Sequence, residues 1–480
     1  MHIYDPFIER RRFLKTASYA AIAVATSALV RDVGAQTPST RRPNILHIHA
    51  DDHRPDGLHA LGNPVLKTPH LDTLVDRGMI FTRCYTQGSM VGAVCLPSRT
   101  MMLTGRSWLR IKEATDPAAY LPKALSAAGY ETWHMGKGGN DFKPGIAAFD
   151  TNLIDEGKGE ARRGSSRRHA DAAISLLKKR KNDRPFYIYL APPVPHDPRI
   201  AEPEFMKMYQ PQNIPLPAAF MPQHPWDNGE MTVRDEKLAP WPRTPQDTKQ
   251  QIADYYACIS CLDHQVGRIL AQLKESGELD NTIIIFTGDN GLSLGEHGLF
   301  GKQNLYEFGG MHVPLVIAGP GIPRGKSEAL VYLMDLFPTF CDLAGAQVPA
   351  SVESKSLLLV IQGRTPQVRD VLYTAYRNCQ RAVRDDRWKL IRYPLVDRTQ
   401  LFDLRSDPHE LTNLAQMPEH AGKVAEMTAL LEKEMARYGD TVPLRIANPK
   451  PAEWIPPRDT AKPLPPARAK ARRNANRTAP

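Results

Sequence analysis

Three short apolar runs constrain what this 480-residue chain can fold into more than any other feature. Each is rich in β-branched or aromatic residues, and each stops at a polar cluster. Asn44 to Ala50 ends in Asp51-Asp52, Phe186 to Leu190 leads to Pro195-His196-Asp197, and Thr282 to Thr287 ends in Gly288-Asp289-Asn290. Such runs alternate with helical patterns, which predicts an α/β fold with a large, mostly parallel sheet flanked by helices. In open sheets of this kind ligands bind beyond the carboxyl ends of the strands. Three clusters far apart in sequence are therefore expected to meet in one cleft.

A strand-to-helix turn at Cys95-Leu96-Pro97-Ser98-Arg99, continued by Met102-Leu103-Thr104-Gly105-Arg106, is expected beside them. Pro97, with its fixed φ, suits the first turn of a helix and leaves Cys95 at the N-terminus, where free N–H groups and the dipole favour an anion. Taken singly, each feature also has a plainer reading. Cys95 fits a small buried residue ahead of a core helix. Asp51-Asp52 would suit a solvated loop, Asp289-Asn290 a turn, and His196 a loop filler between prolines.

The length suits one large domain, read over 42–346, and a smaller one. From about Val371 the pattern changes to short strands and a closing helix near Glu419 to Tyr438, predicting an α+β subdomain over 365–440. Residues 1–35 read as a twin-arginine export signal. Arg10-Arg11-Arg12-Phe13-Leu14-Lys15 precedes an Ala-rich stretch too short to span a bilayer, so no stable membrane insertion is expected, and Val33-Gly34-Ala35 resembles a cleavage site. The destination would be the periplasm or the exterior. Charge asks whether nucleic acid is a partner, because the chain carries a net +10. Residues 441–480 hold nine Lys or Arg against two acids, and 1–35 hold five against three, so 36–440 are left with 10 − 7 − 2 = +1. A near-neutral body excludes a dedicated nucleic-acid binder, and the Pro- and Ala-rich tail from 441 is expected to be disordered. The six cysteines show no disulfide spacing; Cys258-Ile259-Ser260-Cys261 lies within a helical pattern opened by Thr244-Pro245 and has no second pair to complete a zinc site. Between Glu202 and Thr248 the chain is Pro-rich and irregular, fit either to wall a pocket or to pack over the sheet edge.

With these residues in view, the chain resembles the formylglycine-dependent sulfatases of the alkaline phosphatase superfamily from about Arg42 to about Leu414. The motifs stand in the family's order: Arg42-Pro43-Asn44-Ile45 into Asp51-Asp52, Thr68-Pro69-His70-Leu71-Asp72, the Cys95 signature, Gly136-Lys137, Pro195-His196, Gly288-Asp289-Asn290, Gly301-Lys302, and Leu401-Phe402-Asp403-Leu404. The resemblance implies that a modifying enzyme converts Cys95 to formylglycine. Its hydrate would offer one oxygen to attack sulfur and a second to expel sulfate from the covalent intermediate. It implies one divalent cation, calcium, held by Asp51, Asp52, Asp289, Asn290 and the modified Cys95; carboxylate and amide oxygens suit a hard cation. It further implies that Arg99 stabilises the hydrated aldehyde, that Lys137 and Lys302 hold sulfate oxygens, and that His196 protonates the leaving alcohol. The substrate class implied is a sulfated small molecule or glycan. Export in the folded state suits a protein that is modified and loaded with metal before it leaves the cytoplasm. One departure stands out: the family continues Gly-Lys with Trp-His, whereas here Gly138-Gly139-Asn140 follows Lys137. His134 would point away along its strand, so His297 is a candidate to assist collapse of the intermediate. Two rival readings remain: a phosphodiester or phosphonate ester hydrolase using the same nucleophile, and a non-catalytic glycan-binding relative.

Overall fold

The computed structural model describes residues 41–138, 142–155, 165–180 and 183–457. The export signal read at 1–35, Gly139-Asn140 and the tail from 458 lie outside the described residues. In the body that begins at Pro43, the first nine strands are β1 (Asn44–Ala50), β2 (Met79–Tyr85), β3 (Gly88–Ser89), β4 (Glu131–Gly136), β5 (Thr151–Ile154), β6 (Phe186–Ala191), β7 (Thr282–Gly288), β8 (His312–Ala318) and β9 (Gly325–Tyr332). All but β3 join one sheet in the order β5-β4-β6-β1-β7-β8-β2-β9. Only β8 runs against the rest. The expected α/β architecture is therefore present.

The apolar runs are explained by burial on both faces. On β7, Ile283 and Ile285 enter one core and Ile284 and Phe286 the other; on β6, Tyr187 and Tyr189 alternate with Ile188 and Leu190 in the same way. Helices α1 (Pro69–Arg77), α2 (Cys95–Thr104), α3 (Leu121–Ala127), α4 (Ser165–Lys179), α5 (Pro245–Glu275) and α6 (Leu336–Ala344) cover those faces. The first core takes Met102 and Leu103 of α2, Leu121 of α3 and Phe337 and Phe340 of α6. The second takes Leu71 and Leu74 of α1, Leu177 of α4 and Val266, Ile269 and Leu273 of α5. Each fully buried aliphatic side chain contributes on the order of 1.5–3 kcal/mol. Helix α5 starts where the sequence says it should: Thr244 accepts a 3.1 Å hydrogen bond from Asp247 N, and Pro245 opens the first turn.

Register decides where the chemistry falls. Ala50 is level with Gly288, Ile48 with Leu190, and Gly136 with Ala191. The residues following β4, β6, β1 and β7 consequently emerge along one edge of the sheet. Gly136 is required for this packing, since a Cβ there would lie 2.4 Å from Ala191 O.

A second sheet has the order β13-β12-β11-β10-β3, with β10 Leu372–Tyr376, β11 Gln380–Arg384, β12 Trp388–Tyr393 and β13 Arg398–Asp403, and it packs against α7 (Ala421–Tyr438). Its parallel edge strand is β3, just upstream of Cys95. One apolar cluster accordingly joins Tyr85, Val94 and Met101 to Leu372, Tyr376, Ile391 and Phe402. This α+β region is thus welded to the turn that carries Cys95. The expected disorder from 441 is corrected for residues 441–457. Ala452 O accepts from Asp227 N at 2.8 Å, Trp454 O accepts from Gln223 Nε2 at 3.1 Å, and Trp454 packs edge-on to Trp241. Apolar side chains in the proximal tail find partners on the Pro-rich connection, which outweighs the basic composition.

Candidate active site

The expected cluster assembles at the strand ends. Asp51 and Asp52 follow β1, with Asp52 at φ +63°, a left-handed conformation that turns the chain directly after Asp51. Asp51 N donates to Val194 O at 3.0 Å, and Asp289 N donates to Ala50 O at 3.0 Å, tying the ends of β1, β6 and β7 together. Cys95 is the first residue of α2, and its Sγ lies 3.3 Å from Asp51 Oδ1, 3.6 Å from Asp52 Oδ1 and 3.1 Å from Lys302 Nζ. One turn on, Arg99 Nε donates to Asp289 Oδ2 at 2.9 Å, and its Nη2 is 3.8 Å from Asp51 Oδ1. Lys302 Nζ donates to Asp52 Oδ1 at 2.6 Å, and Lys137 Nζ donates to Asp51 Oδ2. The loop bearing Lys302 is fixed by Gly310, where a Cβ would collide with Lys302 O at 1.8 Å.

Asn290 and Asp289 close the group. Asn290 Nδ2 donates to Asp52 Oδ1 at 2.9 Å, and Asp289 Oδ1 accepts from Asp52 N and Asn290 N at 2.9 and 2.8 Å. His196 enters from the loop after β6, its Nε2 3.8 Å from Asp52 Oδ2 and its Nδ1 2.7 Å from Asp197 O. All ten of Asp51, Asp52, Cys95, Arg99, Lys137, His196, Asp289, Asn290, Lys302 and Asp197 are buried. The structure therefore brings together every residue assigned by the sequence except His297.

Buried charge shapes this site. Burial raises the cost of the Asp51 carboxylate, yet Lys137, His196, Arg99 and Lys302 hold it well below the usual range. Asp289 goes the other way, pushed up by burial and by Asp51 beside it. Burial, followed by Asp289, pushes the Cys95 thiol well above its ordinary value against the pull of Lys302. As a plain cysteine it would be a protonated, weak nucleophile.

The cluster could hold a metal ion. Ligand atoms of Asp51, Asp52, Cys95 and His196 all lie within 4.8 Å of one another. Asn290 Oδ1 is buried with no hydrogen-bond partner, an amide oxygen awaiting a ligand. Among the described residues this is the cluster that could hold a metal ion. Among the described residues Cys258 and Cys261 belong to no such cluster; Cys261 Sγ donates to Glu202 Oε2 at 2.9 Å within the packing of α5.

A sulfatase family model matches residues 43–346, which include every residue of the cluster. The chain belongs to the sulfatase family. A second model, N-sulphoglucosamine sulphohydrolase C-terminal, matches 295–437. Among curated relatives, an N-acetylglucosamine-6-O-sulfatase of Bacteroides thetaiotaomicron is 27% identical, covering 88% of this chain and 91% of its own. A choline-sulfatase of Rhizobium meliloti is 29% identical, covering 83% and 88%. A solved structure in complex with D-glucosamine-2-N,6-O-disulfate is 25% identical with a TM-score of 0.70, covering 84% of this chain and 99% of that one. The phosphonate monoester hydrolase of Agrobacterium radiobacter shares the fold at a TM-score of 0.69 and 23% identity, covering 83% and 96%. This sulfatase is accordingly a sulfuric ester hydrolase of alkaline phosphatase-like fold.

Two histidines considered from the sequence find other partners. His297 stacks on Tyr306 at 3.8 Å and accepts from His224 Nδ1 through its carbonyl; burial, with His224 and Lys389 nearby, lowers its pKa to about 3. The assignment of His297 to the reaction is corrected: its ring is committed to an aromatic stack. His134 faces Phe149 and Tyr189, with Nδ1 2.7 Å from Asn152 Oδ1. Conversely, sequence reasoning missed Arg234, whose Nη2 lies 3.3 Å from His196 Nε2. Its only signal was its place in the long Pro-rich connection, which here walls the site: Gln303, next to Lys302, donates to Asp235 Oδ2 at 3.1 Å.

Proposed function

We propose that this sulfatase hydrolyses sulfate monoesters of a carbohydrate with Cys95 converted to formylglycine by a modifying enzyme and with one calcium ion in the adjoining carboxylate cluster. The observation that carries the reading is Cys95 itself. It heads a buried helix, within 3.1–3.6 Å of a lysine and two carboxylates. The thiol is unreactive there, whereas a hydrated aldehyde supplies one oxygen to attack sulfur and another to release sulfate. Calcium, held by Asp51, Asp52, Asp289 and Asn290, would supply positive charge beside the entering sulfate.

The chain's own residues do the rest. Arg99 orients the modified side chain from one helical turn away. Lys137 and Lys302, both buried and tethered to Asp51 and Asp52, face the sulfate oxygens with preorganised donors, which is where transition-state charge is best stabilised. His196 has Nδ1 on Asp197 O and presents Nε2, 3.3 Å from Arg234 Nη2 and 3.8 Å from Asp52 Oδ2, as the nitrogen that, once it carries a proton, delivers it to the leaving alcohol oxygen. A sugar substrate is supported by the relatives, which include an N-acetylglucosamine-6-O-sulfatase and a structure in complex with a glucosamine disulfate. Export by the twin-arginine route to the periplasm or beyond completes the reading.

Paired assays of formylglycine-bearing protein test it, using N-acetylglucosamine 6-sulfate, 4-methylumbelliferyl sulfate and the matching phosphate and phosphonate esters. Preference for the sulfates is expected. Preference for phosphonate monoesters would replace the reading with the rival hydrolase, and binding without turnover would replace it with the non-catalytic relative.

A further inference from the structure

Arg234 stands outside the metal cluster and reaches the leaving-group histidine from the solvent side. Its Nη1 donates to Asp197 Oδ2 at 2.5 Å, and its Nη2 donates to Asp235 Oδ1 at 2.6 Å while lying 3.3 Å from His196 Nε2. The Arg234 side chain is 56% exposed, whereas those of Asp197 and Asp235 are each 8% exposed. The acids are thus wall and the guanidinium is lip. Two carboxylates more than offset its charge and fix its plane, so it presents directed N–H donors beside carboxylate acceptors and not a free positive field.

That alternation of donor and acceptor matches a hydroxyl, which needs both. The placement matches too. An ester oxygen that takes its proton from His196 Nε2 must approach that nitrogen, and a substituent nearby on the same sugar then falls within hydrogen-bond reach of a guanidinium 3.3 Å away. The rim continues with further paired polar groups. Gln303 ties Asp235 to β11 through Gln380, and Arg377, in the turn between β10 and β11 and 46% exposed, pairs with Glu230. Resting on the sulfatase reading above, we propose that Arg234, held between Asp197 and Asp235, is the specificity residue that reads the sugar hydroxyl nearest the scissile sulfate.

The test combines deletion of the residue with deletion of the hydroxyl. Wild type, Arg234→Ala and Arg234→Lys are compared on N-acetylglucosamine 6-sulfate and its 4-deoxy analogue, with 4-methylumbelliferyl sulfate as a substrate whose leaving group lacks sugar hydroxyls. In wild type, loss of the hydroxyl should lower kcat/KM by roughly 10- to 100-fold, the usual worth of a hydrogen bond to a charged group. In Arg234→Ala that ratio should collapse toward one, chiefly through KM, and the loss on the sugar should exceed the loss on the aryl ester. Arg234→Lys, which keeps the charge without the planar fork, should lie between. Thermal unfolding checks that each variant folds, and the Lys variant carries the test if the Ala variant does not. An undiminished deoxy penalty in the variants would overturn the proposal, as would a wild type indifferent to the hydroxyl. Equal losses on sugar and aryl esters would overturn it as well and make Arg234 a positioning residue for His196. Wild-type turnover of the aryl sulfate without turnover of the sugar would remove this proposal and leave the sulfatase reading standing; no turnover of any sulfate ester would remove both.

Discussion

Replacing Lys302 by Met keeps the bulk of a buried side chain and deletes its charge, which isolates what that charge does. Lys302 Nζ lies 2.6 Å from Asp52 Oδ1 and 3.1 Å from Cys95 Sγ, and burial opposes its charge while the Asp52 carboxylate, first among its neighbours, holds its pKa well above the ordinary value. Without it, Asp52 Oδ1 keeps the Asn290 amide at 2.9 Å as its nitrogen donor. Breaking one side of a buried pair costs about 3–5 kcal/mol when nothing replaces it. A bound dication against the same carboxylate would offset part of that, so the metal-loaded variant should be destabilised less than the metal-free one. Turnover should suffer more. Loss of one preorganised donor to transition-state charge costs about 2.7–4 kcal/mol, or 10²–10³ in kcat, and kcat and kcat/KM should fall together because the interaction grows as charge builds. The assay is steady-state hydrolysis of 4-methylumbelliferyl sulfate at saturating calcium, with conversion of Cys95 checked by mass and folding checked by thermal unfolding. A folded, fully converted variant with kcat within about threefold of wild type, under 1 kcal/mol, would refute the role given to Lys302.

Metal removal should register as stability as well as activity. Ligand at about 100 times its dissociation constant stabilises the folded state by roughly 2.7 kcal/mol, so a chelator should lower the unfolding temperature and calcium should restore it; identical midpoints would contradict the cation site. Away from the cluster, burial raises the pKa of Asp263 to about 7 although its carboxylate accepts from Leu71 N and His70 N at 2.7 and 3.0 Å. The folded state then keeps a proton that the unfolded chain releases near pH 4, so this contribution is present at low pH and is lost as pH rises through 7. Asp263→Asn should flatten the decline in unfolding temperature between about pH 4 and 7, and an unchanged slope would refute that assignment.

Much of this arrangement was legible in the sequence because strand ends and motifs coincide. Asn44–Ala50 and Thr282–Gly288 form strands within one residue of where their β-branched runs stop, and the parallel register then forces Asp51, Asp52, Asp289 and Asn290 together. Arg99 came from the family resemblance alone, and its place in α2, four residues after Cys95 and so on the same helix face, supplies the physical reason. What escaped was set by contacts between distant segments. Arg234 meets His196 across 38 positions of irregular chain, and no periodicity encodes that. His297 looked available because a histidine in a Gly-rich loop shows nothing of the Tyr306 ring against which it stacks. The proximal tail read as disordered from composition alone, whereas Trp454 and Ala452 are held by Gln223, Trp241 and Asp227.

The state of Cys95 carries the whole mechanism and can be measured directly. The tryptic peptide from Cys84 to Arg99, taken from protein made in its own host, contains both Cys84 and Cys95 and separates them on fragmentation. The account predicts a mass lowered by the loss of sulfur and two hydrogens and the gain of one oxygen, located at Cys95 and leaving Cys84 a thiol. An intact thiol at Cys95 in protein that turns over sulfate esters would contradict it.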